Sequence, residues 1–198
     1  EQGIRLPAGI EFTFASWFVF YLRQYLLVIL IPYVLVLGIH DATRFVASTW
    51  FPDIAVAAEE ASLYVSLLLL YVFSPFLLQV IWPTRSFPAG PLRDRLLAVA
   101  DRSRVKVRDV VLWNTRGLMV NACMTGVARQ LRLVFLSDSL VDSLSAPQVE
   151  AVFGHELGHA RYRHIPFFFL VALGSVLILT LFDLLRARYT DLEEWTSW

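Results

Sequence analysis

The 198-residue chain is short of the residues that brace soluble and secreted proteins. It has one cysteine, Cys123, so no intrachain disulfide can form, and that usage fits a reducing compartment. Only 17% of its residues are charged, and 17 basic against 17 acidic side chains cancel, which removes any electrostatic sign of a nucleic-acid partner. No positively charged segment with a small-residue cleavage site precedes the first apolar stretch, so no secretory signal peptide is expected. The chain opens on Glu1 with no initiating Met, which suggests a trimmed fragment. Histidine is equally scarce, at His40, His155, His159 and His164.

Apolar residues fill the space left by these absences: 57% are hydrophobic and 14% aromatic, with a mean hydropathy of +0.59. A membrane protein is expected. Residues 61 to 82 and 165 to 182 carry no charge and are long enough to cross a hydrocarbon layer of roughly 30 Å. Residues 13 to 38 read as one further span, interrupted by Arg23-Gln24 and bent at Pro32. Trp17, Trp50, Trp82, Trp195 and Trp198 fall at or near the proposed ends, where an amphipathic ring favours the water interface. Arg23 is either a snorkelling or paired structural residue or a functional one, as an intramembrane charge is by default. The spans hold too few polar groups to line a channel or a transport path.

Against this background, His155-Glu156-Leu157-Gly158-His159 is the motif that carries chemistry. Histidines four apart on a helix share a face, with Cβ atoms about 5 to 6 Å apart, close enough for both rings to reach one zinc ion at roughly 2.0 to 2.1 Å. Glu156 stands beside them as a general base for the attacking water. The helix itself is signalled locally, with Ser145 as N-cap, Pro147 in the first turn and Gln148 at the capping-box position. Val149, Val152, Phe153 and Leu157 then form an apolar stripe at helical spacing. These residues point to a zinc-dependent peptidase, and an accidental match is rare in a chain so poor in histidine.

Charge distribution suggests an orientation. Residues 83 to 164 carry twelve Lys or Arg against seven Asp or Glu, a surplus of five, whereas residues 39 to 60 have Arg44 against Asp41, Asp53, Glu59 and Glu60. The catalytic segment is therefore expected to face the cytoplasm and the loop at 39 to 60 to face out. Three regions follow: 1–82 as an N-terminal membrane region with two transmembrane helices, 83–164 as an incomplete zinc metallopeptidase domain, and 165–198 as a third transmembrane helix and the start of a hairpin. The fold class is a mainly α membrane protein whose transmembrane helices flank a small α+β, zincin-like catalytic domain. Within it, Pro88, Gly90 and Pro91 form a linker and residues 94 to 101 an amphipathic helix. Residues 105 to 113 and 118 to 122 read as strands joined by a tight turn at Asn114-Thr115-Arg116-Gly117, with a third strand at 131 to 136 and a short helix at 137 to 144.

In this region the chain resembles the membrane-anchored zinc endopeptidases that include the HtpX-type heat-shock proteases and the CAAX prenyl proteases, a gluzincin family. Asn121-Ala122-Cys123-Met124-Thr125-Gly126 is similar to the family's N-A-x-x-x-G segment, Leu133 to Ser137 with Leu140 to the strand and helix after it, and Gln148 to His159 to its active-site helix. The resemblance implies that His155 and His159 bind one zinc ion, that Glu156 is the base, and that Asn121 and Ala122 lie along a cleft where an extended polypeptide adds to a strand edge. Asn121 is alternatively a turn residue. Cys123 is a poor candidate for a nucleophile, since the histidines already have a metal role.

Such a site needs a third protein ligand, typically a glutamate. The resemblance puts that glutamate beyond a further membrane hairpin, and the chain stops 39 residues after His159. Glu193 and Glu194 follow the third span, Asp183 sits at its boundary, and His164 is about 140° around a helix from His159. The metzincin pattern would require Gly and His where Tyr162 and Ile165 stand. The chain is therefore expected to end within the hairpin, without the returning span or the last ligand. Two functions compete: a membrane-bound zinc endopeptidase acting on membrane-associated, misfolded or prenylated proteins, and a catalytically incomplete relative serving as a membrane scaffold or binding module. Partners are a polypeptide substrate and the lipid bilayer, with no nucleic acid, and the oligomeric state stays open.

Overall fold

The computed structural model describes residues 13–196, with the side chains of 187 and 189–196 outside the description. Glu193, Glu194 and Trp195 fall among those side chains, and Trp198 lies outside the described residues. The chain divides after Tyr162 into two compact units.

The first unit begins with a continuous helical stretch of 37 residues, Phe14–Trp50. It comprises α1 (Phe14–Tyr21), a π turn (Leu22–Leu27) and α2 (Val28–Trp50). Thr13 caps it by accepting from the Ser16 amide at 3.2 Å. Pro32 sits inside α2 without ending it. A turn at Phe51 and a 3₁₀ segment, Pro52–Ile54, lead to α3 (Ala55–Ile81), which packs on α2 as a helical hairpin. The hairpin carries one polar cluster: His40 Nδ1 lies 2.9 Å from Ser62 Oγ, and His40 Nε2 lies 3.5 Å from Glu59 Oε1. Residues 39 to 60, expected as a loop, are thus helix up to Trp50 and again from Ala55. An apolar stretch can run on as helix wherever side chains such as His40 and Glu59 satisfy each other across the pair.

After α3 come β1 (Thr84–Ser86), α4 (Pro91–Arg102), β2 (Asp109–Trp113), β3 (Ala122–Thr125), β4 (Leu133–Ser137), α5 (Asp138–Ser143) and α6 (Ala146–Arg161). The four strands form one mixed sheet in the order β1-β2-β4-β3. β2 runs parallel to β4, pairing Val111 with Phe135, while β3 lies antiparallel on the other side of β4, pairing Cys123 with Phe135. The hairpin expected at 114–117 is therefore not formed, because β2 and β3 do not pair. β4, Leu-Val-Phe-Leu-Ser, is buried at all five positions and takes the centre of the sheet, where such a run hides both faces. Residues 105–108 and 118–121 lie outside the strands, and β1, at the opposite edge, was not anticipated.

One face of the sheet presents Val111, Trp113, Leu133 and Phe135 to Ile81 and Trp82 at the end of α3 and to Phe20 of α1. Trp82 and Trp113 stack with centroids 4.2 Å apart and planes 10° apart, and Phe135 meets Trp82 edge-on at 5.5 Å. Trp82 was expected at a wet interface; it is buried instead, since stacking against Trp113 and Phe135 removes more apolar surface than an interface would. Trp17 and Trp50 are exposed. Val110, Leu112, Val134 and Leu136 are buried too, so both faces of the sheet are covered, with α6 packed along β3 and α4 on α6.

The second unit holds α7 (His164–Thr196), whose exposed apolar segment His164–Arg186 is long and apolar enough to cross a membrane, as are Phe14–Trp50 and Pro52–Ile81. The fold is mostly helical with a small mixed sheet, as the sequence suggests.

Candidate metal centre

The site starts from α6, which several side chains hold at its ends. At its start the Ser145 amide and hydroxyl both donate to Gln148 Oε1 at 2.9 Å, the expected capping arrangement. Arg95 of α4 pairs with Glu150, and near the other end Arg161 donates to the Ser103 carbonyl at 2.7 Å. Val149, Phe153 and Leu157 are buried at 0 to 1% exposure, so the helix turns its other side outward. That side carries His155, which is exposed, with Glu156 and His159 half-buried. The two imidazole centroids lie 5.2 Å apart with their planes at 89°.

The ligand atoms of His155, Glu156 and His159 fall within 4.8 Å of one another, and among the described residues they form the one such group. Two ring nitrogens on one helix face are donors that suit zinc, and Glu156 stands within the same group. Among the described residues no further His, Cys, Asp or Glu joins the group.

β3 borders this centre. Glu156 Oε2 accepts a hydrogen bond from the Met124 amide at 3.1 Å. Asn121 Oδ1 accepts from the Ala122 amide at 2.9 Å. Both amides point away from β4, so the outer edge of β3 is occupied by side chains and not by a fifth strand. Asn121 is exposed at the start of this edge and Ala122 is buried within it. The structure thus brings Asn121 and Ala122 onto the strand that Glu156 touches. Cys123 faces the opposite way in the register and is half-buried; burial first, and the Glu156 carboxylate second, push its thiol up to about 12. Such a thiol is protonated and unreactive.

Other residues that position this edge carry weaker signals in the sequence. Ser137 Oγ accepts from the Asn121 amide at 3.0 Å and from Leu140 at 3.2 Å, joining the start of β3 to the first turn of α5. Asp138 accepts from the amide and hydroxyl of Thr115, which is fully buried, and from the amides of Gly117 and Ser139. Its only local sign is its place in the first turn of a short helix. Gly126 ends β3 at φ +100°.

The family model for Peptidase family M48 matches residues 88–195, that is 108 of 198 residues and more than half of the chain. No curated protein matches the chain in sequence. Among solved structures, the crystal structure of S. mikatae Ste24p is similar, with a TM-score of 0.62 and 22% identity over 86% of this chain. At that identity the likeness is one of fold. The chain spans 40% of the length of Ste24p.

Proposed function

The chain belongs to peptidase family M48, and from that premise we propose that it is the catalytic part of a membrane-embedded zinc endopeptidase. The observation that carries this is the convergence of His155, His159 and Glu156 on one face of α6 beside the β3 edge. The site fits one zinc ion, with His155 and His159 as its ligands. When bound, that ion supplies a Lewis acid that activates water and polarises the scissile carbonyl.

The chain's own residues do the rest. Glu156 accepts the proton of the attacking water and returns it to the leaving amine. Met124, through its amide, keeps that carboxylate on the side of the helix that faces β3. An extended polypeptide adds to the outer edge of β3 at Asn121 and Ala122, where it exchanges Asn121 Oδ1 for its own carbonyl on the Ala122 amide. That mode suits membrane-associated, misfolded or prenylated chains. Helices Phe14–Trp50, Pro52–Ile81 and His164–Arg186 cross the bilayer, and residues 83–164, with their surplus of five positive charges, face the cytoplasm.

Glu156→Gln tests the mechanism, because it keeps the shape of the side chain and removes its basicity. It should retain zinc at one equivalent per chain and lose at least about a hundredfold in turnover of an unfolded polypeptide; undiminished proteolysis would rule the mechanism out. A version extended at its C-terminus that still holds no zinc would favour the scaffold reading. External protease digestion of residues 83–164 in sealed vesicles, oriented as in the cell, would refute the orientation.

A further inference from the structure

The π turn Leu22–Leu27 sets Arg23 and Gln24 against the end of the sheet, in the first unit, well outside the metal centre. π turns inside α-helices recur at functional sites, and this one borders a cavity of about 110 Å³. Its lining includes Phe20, Arg23, Gln24, Trp82, Trp113 and Arg116. Arg23 and Arg116 are both exposed, and among the described residues neither guanidinium has a carboxylate or a hydrogen-bond partner. Asp138, which accepts from Thr115 and Gly117 on either side of Arg116, is already engaged by those groups.

Buried atoms add a second, independent observation. Gln24 Oε1, Trp82 Nε1 and Trp113 Nε1 are buried without a hydrogen-bond partner among the described residues, and all three belong to residues that line this cavity. Buried polar groups are almost always satisfied, so several together mark a place where something else supplies the partners. Two indole donors and two guanidinium groups ask for an anion with several acceptor oxygens. Gln24 asks for a hydroxyl. From the cavity, exposed Trp17, Phe18, Tyr21 and Tyr25 extend along the helix, with Trp17, Tyr21 and Tyr25 in ring contact at 4.5 and 5.4 Å. Such an aromatic ladder suits the boundary between headgroups and acyl chains.

We propose that the cavity between the π turn and the Trp82–Trp113 stack binds the phosphodiester headgroup of an anionic phospholipid, with Arg23 and Arg116 on the phosphate and the aromatic ladder at the headgroup boundary beside it. This site rests on the reading that Phe14–Trp50 is embedded in a bilayer and is independent of the peptidase chemistry. It gives Arg23 a functional role in place of simple snorkelling.

The test is native mass spectrometry of the full chain released from nanodiscs of phosphatidylcholine mixed with phosphatidylglycerol, a glycerol-headed anionic lipid. The wild type should retain phosphatidylglycerol over phosphatidylcholine by about 30-fold. Arg23→Gln and Arg116→Gln should each lower that preference about fivefold, as removal of one interfacial cation does, while Arg23→Lys and Arg116→Lys should keep most of it. Equal retention of the two lipids, or a preference unchanged in both Gln variants, overturns the proposal. Displacement of the lipid by inorganic phosphate at matched concentration also overturns it, in favour of a small-anion site. Flotation with phosphatidylcholine vesicles reports insertion separately, so a chain that floats yet shows no preference sinks the site and leaves the membrane reading intact.

Discussion

Replacing Gly126 by alanine should distort the catalytic edge from its far end. Gly126 follows β3 at φ +100°, and a Cβ built there would lie 2.4 Å from the Leu131 carbonyl oxygen, 2.6 Å from its carbon and 2.8 Å from Arg132 Cα. All three atoms belong to the main chain, so no side chain can swing aside. Holding a non-glycine residue in that backbone region costs about 1 to 3 kcal/mol, and the shift needed to relieve the overlap costs about 1 to 3 kcal/mol more. A total of about 2 to 6 kcal/mol, at about 2 to 4 °C per kcal/mol for a domain of this size, lowers the melting temperature by about 4 to 24 °C. Gly158→Ala, on α6, is the internal comparison: its backbone is helical and nothing lies within 4 Å of the added carbon. It should leave stability unchanged or raise it by up to about 1 kcal/mol. The assay is thermal unfolding in detergent followed by tryptophan fluorescence, and a Gly126→Ala chain that melts with the wild type would refute the reasoning. In the same variant, displacement of β3 should carry the Met124 amide away from Glu156 and reduce turnover before the protein unfolds.

Asp138→Ala strips four donors of their acceptor, two of them on the fully buried Thr115, and should cost about 3 kcal/mol in urea denaturation. Ser145→Ala removes one arm of the cap on α6 and should cost about 1 kcal/mol, read in the same way. Cys123 binds its proton more tightly folded, at about 12, than at its ordinary value of 9.0. Its contribution is therefore complete below pH 9 and lost as the pH climbs toward 12, and a Cys123→Ala chain should lose less stability across that window than the wild type. Turnover of Cys123→Ala should stay within about twofold of wild type, against the loss of a hundredfold or more that removal of a nucleophile brings. Asn121→Ala leaves the Ala122 amide without its side-chain acceptor and should alter KM for an unfolded polypeptide more than kcat, measured by steady-state kinetics.

The parts legible in the sequence were those fixed by neighbours a few residues apart. The helix around His155 and His159 is written in Ser145, Gln148 and a stripe from Val149 to Leu157, all within one element, and the structure forms it from Ala146 to Arg161. The existence of three apolar helices was legible for the same reason, but not their lengths, since the spans read at 13–38, 61–82 and 165–182 run as Phe14–Trp50, Pro52–Ile81 and His164–Arg186. Strand pairing was not. Asn114 to Gly117 has the chemistry of a tight hairpin turn, yet burial of β4 on both faces decides the topology, and that preference belongs to residues some twenty positions downstream. Nor could the sequence disclose that the Met124 amide reaches Glu156, since a main-chain donor leaves no mark in the residue type. Trp82 misled for a related reason: its partner Trp113 lies beyond a helix and a strand, so proximity alone placed it in water.

That pair of indoles also equips the molecule with an optical gauge. Parallel rings at 4.2 Å couple their transitions and quench one another, and one ring ends the second apolar helix while the other ends a strand of the sheet. Any event that draws helix and strand apart, whether solvent, ligand or substrate causes it, must separate the chromophores, so the near-ultraviolet dichroism of the unlabelled protein follows that motion directly.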